Sequence, residues 1–363
     1  MKFDLTGEEK CNREEIVSSS LSDIINEVIG DVVNSELKVR KKIEMLNDTI
    51  KYLYYELLGT FIKQGIEFGI FPNIAKYKPK FEEIPNVIKY PNKEFIIDFI
   101  KTAIKLNILE YKDDERLDIN EFYKLEIKLP KMDNIISDYI MKFNYVTHVA
   151  RYALISYNHP KIALSFKKDP DIWDMILSSP YYEFHREIAA NYLDIEEDDY
   201  ILDIGCGSRS PQFFIDNVYP KGYYTGVDIS KGLLEMAEFR VKNIYPSGYE
   251  LKNLDFLEVI PKRKYNKIIC SHVLKYIPSL KIFIRKLAKS LAPGGKVYIS
   301  EEFIPKYAND KKDYCEIFGF YNRLNRKFVK YYSEEEIKKE LELLGDYRIK
   351  RLSDGIIVIE NVS

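Results

Sequence analysis

The second half of the chain alternates short apolar strands with helices, and this alternation limits the possible folds more than any other feature. After the acidic run Glu196–Asp199, the segments of strand type are Tyr200–Ile204, Tyr223–Val227, Tyr249–Leu254, Lys267–Cys270 and Lys296–Ser300. A closing hairpin is predicted to pair Tyr347–Leu352 with Ile356–Glu360. Strands separated by helices predict a doubly wound, mostly parallel α/β sheet, in which ligands bind beyond the carboxyl ends of the strands.

The first of these strands runs directly into the glycine turn Asp203-Ile204-Gly205-Cys206-Gly207. Glycines allow a tight turn and let a ligand approach the backbone closely. Ser210 is predicted to cap the next helix, with Pro211 at its first position, so that the helix directs its amides at the ligand. The second strand ends at Asp228, where a carboxylate can accept hydrogen bonds from both hydroxyls of a ribose. The order of these features predicts a nucleoside site. The fingerprint of nicotinamide dinucleotide sites, G-x-G-x-x-G, would place a third glycine at position 210, where this chain has Ser210, which argues against a nicotinamide cofactor.

This glycine turn resembles the first motif of class I methyltransferases, and later segments agree in the order of that family. They are Asn253–Phe256 after the third strand, Cys270–Leu274 after the fourth, and Leu291–Lys296 leading into the fifth. The resemblance implies a Rossmann-like seven-stranded doubly wound sheet and S-adenosyl-L-methionine as the cofactor. It also implies methyl transfer to a small-molecule acceptor, at oxygen or nitrogen. Transfer of the aminocarboxypropyl group of the same cofactor stays open as an alternative.

The resemblance also implies cofactor-binding roles for individual residues. It assigns Asp203, Gly205, Cys206 and Gly207 to the methionine part, Asp228 to the ribose, Ile229 and Phe256 to the adenine, Asp255 to the adenine amino group, and Ser271 to the neighbourhood of the sulfonium. Arg209 stands where the family often has a third glycine. It either reaches the cofactor carboxylate or points into solvent, and we expect the second.

The catalytic base departs from the family pattern. Small-molecule O-methyltransferases carry a histidine just after the loop of the fourth strand, and this chain has Lys275 there, which we predict to be solvated. His272 is the only candidate base in the adjoining loop, but we expect its side chain to border the pocket, with the role of base as the alternative. The other histidines, His148, His159 and His185, are too scattered to predict a metal site, and no strand-end pair of acids is expected, so we predict no metal.

The first half of the chain is predicted to be mainly helical. Periodic apolar residues predict helices over Ile16–Leu37 and Ile43–Phe68, and Asn92 is predicted to open a third that runs to Leu106. Two short strands follow, Ile108–Tyr111 and Arg116–Ile119. We therefore predict an N-terminal domain over residues 1–180, winged-helix-like at about 72–125, and a cofactor-binding catalytic domain over residues 181–363.

The predicted winged helix could mediate either dimerisation or DNA binding. In the O-methyltransferases that Gly65–Phe71 and Ala103–Leu109 resemble, this module mediates dimerisation, which implies a homodimer. The alternative, a DNA-binding regulator with a nucleoside-sensing domain, needs a basic face on the helix after Asn92. That helix mixes lysines with acids, and the chain has 55 basic against 57 acidic residues, so nucleic acid is not the expected partner.

The chain shows no apolar run of membrane-spanning length, and Met1–Glu15 is too charged for a secretory signal. The four cysteines lack the spacing of a zinc or redox motif. We expect a cytoplasmic protein with free thiols.

Overall fold

The structure is a computed structural model, and it describes residues 21–123, 135–157, 167–258, 263–325 and 327–362. Within these ranges, side chains are described except for residues 21–35 and 135–142. The chain divides into two compact units, Met1–Lys42 and Ile43–Ser363. In the described part of the chain, no helix combines the length and the apolar character that crossing a membrane requires.

Helices dominate the first half of the chain. They are α1 Leu21–Glu67, α2 Ile70–Tyr77, α3 Ile84–Val87, α4 Lys93–Lys105, α5 Ile135–Ile155, α6 Pro170–Leu177 and α7 Pro180–Leu193. The prediction of two separate helices before residue 68 is wrong, because α1 is continuous. The stretch Leu37–Ile43 contains neither proline nor glycine, so no residue there ends the helix. The predicted start at Ile16 lies outside the described residues.

The predicted helix after Asn92 and the two strands that follow it are confirmed. Asn92 caps α4, since its side-chain oxygen accepts a hydrogen bond from the Phe95 amide at 2.9 Å. Strands β1 (Leu109–Tyr111) and β2 (Leu117–Ile119) pair in antiparallel orientation. The winged-helix assignment and the domain boundary near residue 180 stay predictions.

The second half forms the predicted α/β sheet. Its elements are β3 Tyr200–Ile204, α8 Ser210–Val218, β4 Tyr223–Asp228, α9 Lys231–Val241, β5 Tyr249–Asn253, β6 Tyr265–Ser271, α10 Leu280–Ser290, β7 Leu291–Ser300, α11 Lys312–Asn322, α12 Glu334–Leu341, β8 Tyr347–Ser353 and β9 Ile356–Asn361. Among the described residues the sheet has seven strands in the order β5-β4-β3-β6-β7-β9-β8. Only β9 runs against its neighbours β7 and β8, so the predicted Rossmann-like doubly wound fold is confirmed.

Burial of one helix stripe fixes the sheet in place. On α10 the apolar residues Phe283, Ile284 and Leu287 recur at helical spacing and lie in the same buried cluster as Ile268 of β6 and Val297 of β7. Because β3, β4, β6 and β7 are parallel, their carboxyl ends meet at one edge of the sheet. The loops that carry the predicted site residues therefore start from the same edge.

Aromatic packing joins α11 to the helices of the first half. Phe61 of α1 stacks on Phe99 of α4 with ring centroids 4.0 Å apart, and Phe320 of α11 meets Phe99 edge-on at 5.4 Å. The Tyr321 hydroxyl also donates to the side chain of Gln64 at 2.9 Å. Within Ile43–Ser363, the helical layer and the sheet are thus parts of one packed body.

Candidate functional site

A cavity of about 400 Å³ opens at the carboxyl ends of β3, β4 and β6. This volume lies within the usual range of small-molecule sites. All the predicted site residues line it: Asp203, Gly205, Cys206, Gly207, Asp228, Ile229, Asp255, Phe256, Ser271 and His272. The structure therefore brings the whole predicted set together, and the role of each residue stays a prediction.

The turn after β3 requires both of its glycines. Gly205 and Gly207 have φ angles of 72° and 59°, a region that residues with a side chain rarely adopt. A Cβ atom on Gly205 would lie 2.3 Å from the Val273 side chain, and one on Gly207 would lie 2.7 Å from that of Leu177. The turn is also tied to β4, because the Gly205 amide donates to the carbonyl of Val227 at 2.7 Å.

Asp228 links the ends of β3 and β4. Its carboxylate accepts hydrogen bonds from the amides of Gly207 at 2.9 Å and Ser230 at 2.8 Å. Burial raises the pKa of Asp228, and these amide donors oppose the shift. A carboxylate oxygen accepts more than one hydrogen bond, so Asp228 keeps acceptor capacity for hydroxyls in the cavity.

Asp203 is a buried acid at the floor of the cavity. It accepts a hydrogen bond from the Tyr224 hydroxyl at 2.8 Å. Burial raises the pKa of Asp203 to about 7, with a further contribution from the charge of Asp228 and an opposing one from Arg186. Burial likewise raises the pKa of the Cys206 thiol well above its usual value, so this thiol is protonated at neutral pH.

The remaining predicted residues lie on the loops after β4, β5 and β6. The Asp255 carboxylate accepts from the Leu257 amide at 2.9 Å and so begins the 3₁₀ turn Phe256–Glu258. Ile229 follows Asp228 and is half-buried. The Ser271 hydroxyl lies 2.8 Å from that of Ser300, which ties the end of β6 to that of β7.

The prediction that Arg209 points into solvent is wrong. Its Nε and Nη2 atoms donate to the two carboxylate oxygens of Asp174 at 2.9 and 2.7 Å. Asp174 also accepts from Arg240 at 2.8 Å and from the Ser208 hydroxyl. This carboxylate therefore fixes α6 beside the glycine turn, and Trp173 and Leu177 of α6 line the cavity.

The start of α8 also differs slightly from the prediction. The helix begins at Ser210, so Ser210 is its first residue and Arg209 occupies the cap position. The Arg209 side chain makes no capping hydrogen bond there. Pro211 is the second residue, still within the first turn, where a missing amide hydrogen costs nothing.

The prediction that Lys275 is solvated is also wrong. Only 1% of its side chain is exposed, and its ammonium donates to Glu301 at 2.7 Å and Glu302 at 2.8 Å. Burial alone would lower the pKa of Lys275, but the charges of Glu301 and Glu302 outweigh it and raise the pKa above its usual value. Lys275 is therefore a buried cation and not a base.

Glu301 and Glu302 directly follow β7, which makes the expectation that no acid pair follows a strand end wrong. Together with His272 they offer ligand atoms within 4.8 Å of one another, an arrangement that could hold a metal ion. The ammonium of Lys275 already contacts both carboxylates and balances charge there. The prediction of no metal stays a prediction.

His272 borders the cavity in a strained backbone conformation, with φ at 56°. Its amide donates to the carbonyl of Ser300 at 2.7 Å, and its Nδ1 lies 3.9 Å from a carboxylate oxygen of Glu301. The His185 ring packs on it with centroids 4.7 Å apart. Burial lowers the pKa of His185 to about 3, so that histidine is neutral and structural.

The sequence patterns indicated neither the residues Arg186, Glu301 and Glu302 near the cavity nor the burial of Lys275. Lys275 and Arg186 line the cavity. Glu301 and Glu302 form salt bridges with the ammonium of Lys275. Adjacent acids at the end of a buried strand were a signal that could have indicated the pair. No comparable signal marks Arg186, which lies in the middle of α7.

Comparison with known proteins gives the same indication as the geometry. Residues 179–345 match a family model described as a methyltransferase domain. The uncharacterized protein MJ0906 of Methanocaldococcus jannaschii is 61% identical over 347 residues, which cover 95% of this chain and 94% of that protein. The malonyl-[acyl-carrier protein] O-methyltransferase of Priestia megaterium is 28% identical over 133 residues, 37% of this chain and 47% of that relative.

Among solved structures, the CurJ carbon methyltransferase shares the fold. It superposes with a TM-score of 0.51 at 16% sequence identity, over 93% of this chain and 99% of that one. The domain match covers the glycine turn and the strand ends that build the cavity. Residues 179–345 therefore form a class I methyltransferase domain, and the protein is an enzyme whose methyl donor is S-adenosylmethionine.

Proposed function

We propose that this enzyme transfers the methyl group to an oxygen or nitrogen atom of a small-molecule acceptor. The observation that carries the proposal is the composition of the cavity. Besides the glycine turn, it is lined by the mainly apolar and aromatic side chains of Tyr182, Tyr276, Ile277, Pro278 and Phe328. Apolar walls with a few polar groups are typical of sites that enclose a small organic molecule.

The predicted residues fit the parts of the cofactor that the family resemblance assigns to them. The turn at Gly205 and Gly207 brings backbone into the cavity where a side chain would clash. Asp228 offers carboxylate oxygens for the ribose, and Asp255 lies beside Phe256 where the adenine is proposed to bind. The proposal for these residues rests on their common cavity and their chemistry.

The proposed mechanism is a direct displacement in which positioning matters most. S-adenosylmethionine, when bound, supplies a methyl group that is already activated for attack. The cavity walls orient the acceptor and exclude water. His272 can hold a proton released by a hydroxyl or an ammonium acceptor, since it borders the cavity beside Glu301. Lys275 cannot do so, because it is already protonated.

Removal of the Asp228 carboxylate should weaken cofactor binding. Asp228→Ala loses the proposed ribose hydrogen bonds, and we expect a binding free energy less favourable by about 1–3 kcal/mol. Calorimetry with S-adenosylhomocysteine measures this change. Asp198→Ala, an exposed acid in the linker before β3, is the matched control. An affinity that is the same in Asp228→Ala and the control would contradict the ribose assignment.

Removal of the His272 ring should have a modest effect on turnover. With positioning dominant, we expect His272→Ala to reduce turnover less than about tenfold, against about 100-fold or more for the loss of a general base. The pH profile should keep its shape. The measurement needs an acceptor, which a metabolite screen with labelled cofactor can supply, and His148→Ala on α5 is an exposed control. A collapse confined to His272→Ala, with loss of a titration near pH 6–7, would identify His272 as the base.

Removal of the Lys275 ammonium should destabilise the fold in a pH-dependent way. Lys275→Met leaves buried carboxylates without their cation, which should cost about 3–5 kcal/mol of unfolding free energy. Burial already raises the pKa of Glu301 from its ordinary value to about 7, and Lys275 opposes that shift. A folded-state pKa above the unfolded value means stability that is full below the unfolded pKa and is lost as pH rises through the folded pKa.

The Lys275→Met loss should therefore be larger at about pH 8 than at about pH 5.5. Chemical denaturation at the two pH values measures it, with Lys327→Met, an exposed lysine at the cavity, as the control. Equal losses at both pH values would show that Lys275 does not balance these carboxylates.

We also propose that the protein is a homodimer. The proposal rests on the apolar helices of the first half. On α1, the residues Leu37 and Ile66 are each 57% exposed to solvent. Light scattering should give about twice the chain mass of 42.8 kDa. Ile66→Glu should shift the mass toward that of one chain, whereas Ile282→Glu on α10 should not. Wild-type protein that scatters as a single chain would rule out the dimer.

A further inference from the structure

Arg186 of α7 places a positive charge in the wall of the proposed cofactor cavity. It lines this cavity together with Asp203 and the glycine turn Gly205–Gly207. Its guanidinium donates to the carbonyl of Leu177 at 3.2 Å, and a Cβ atom on Gly207 would contact the Leu177 side chain. Arg186 therefore lies at the part of the cavity that is proposed to receive the methionine end of the cofactor.

Three of the other basic groups near this turn already have carboxylate partners. Arg209 and Arg240 both bind Asp174, so they hold α6. Lys275 is enclosed by Glu301 and Glu302. Lys327 also lines the cavity, but its side chain is exposed. Arg186 is therefore the half-buried cation near this turn whose hydrogen-bond donors are not taken by a carboxylate.

Arg186 itself has few partners. Among the residues that the structure describes, the carbonyl of Leu177 accepts its one hydrogen bond, and no carboxylate lies within 4.0 Å of its guanidinium. A guanidinium carries five N–H donors. Burying a cation without an anionic partner is unfavourable, so this position favours an anion that enters the cavity.

The neighbouring acid suggests which anion it is. The charges of Glu183, which is exposed on the same helix, and of Asp203 in the cavity both act on Arg186, yet neither acid forms a direct ion pair with it in the described part of the chain. A cation and an acid side by side in one cavity match the carboxylate and the ammonium of an amino acid. Arginine also binds carboxylates in a bidentate manner that lysine cannot reproduce.

We propose that Arg186 binds the carboxylate of the methionine part of S-adenosylmethionine, with Asp203 facing its ammonium group. This assignment rests on the proposed location of the cofactor and adds the residue that reads its charged end. It replaces Arg209, the arginine nearest the turn in sequence, whose donors are taken by Asp174. Arg186 is a binding residue in this assignment and takes no part in the transfer step.

The test compares two ligands that differ only in the carboxylate. They are S-adenosylhomocysteine and its decarboxylated analogue, S-adenosyl-3-thiopropylamine, measured by calorimetry on the full chain. Arg186→Ala should weaken binding of S-adenosylhomocysteine about 10- to 100-fold and change binding of the analogue less than about threefold. Arg186→Lys should fall between the wild type and Arg186→Ala for the first ligand. Lys327→Ala is the control for a general effect of charge.

Each outcome decides a different point. Wild-type protein that binds neither ligand would refute the proposed cofactor site itself. Wild-type binding with unchanged affinity in Arg186→Ala would refute the role of Arg186 alone. Equal losses for both ligands in Arg186→Ala would show a structural role and also overturn the assignment, and thermal unfolding of the variant would reveal it independently. A loss confined to the ligand with the carboxylate would support the proposal.

Discussion

The hydrogen bond from the Gly207 amide to the Asp228 carboxylate is the contact on which the site depends. It joins the turn after β3 to the end of β4, and the Gly205 amide reinforces it through the carbonyl of Val227. The left-handed φ of Gly207 is one that residues with a side chain rarely adopt, so a glycine at this position lets the turn pass close to Asp228. The same carboxylate is proposed to accept the ribose hydroxyls. The residue that orders the turn is thus also the one that would recognise the ligand.

Local patterns were enough to predict this part of the molecule. Strand alternation, the two glycines and an acid at a strand end all act over a few residues, and parallel strands then bring their ends to one edge. Asn92 as a helix cap was predictable for the same reason, since its oxygen meets an amide three residues later. The two predicted N-terminal helices merged into α1 because apolar periodicity detects faces better than it detects helix ends.

Contacts between distant segments were beyond the sequence patterns. Asp174 binds Arg209 across 35 positions in the chain, and nothing near Arg209 indicates that a partner from α6 will approach it. Lys275 looks solvated on its own short turn, and only the neighbouring strand β7 supplies the two carboxylates that make its burial possible. The proposed role of Arg186 depends on Asp203, which lies on another element and interacts with it electrostatically. In each case the tertiary fold, and not the sequence spacing, brings the two groups near each other.

The buried cluster behind His272 bears on the kind of acceptor that the cavity favours. Lys275 contributes one positive charge against the two carboxyls of Glu301 and Glu302, so full ionisation leaves one net negative charge. Protonation of Glu301, whose pKa burial raises to about 7, leaves the cluster neutral. When Glu301 is ionised, the negative charge of the cluster stabilises positive charge nearby and disfavours a free anion, whereas the neutral cluster has no such net effect. An attacking amine only moves the positive charge from sulfur to nitrogen, which the negative cluster accommodates, whereas a hydroxyl must lose its proton to a neighbour such as His272. The electrostatics of the wall thus agree with the proposal that positioning of the acceptor controls the transfer.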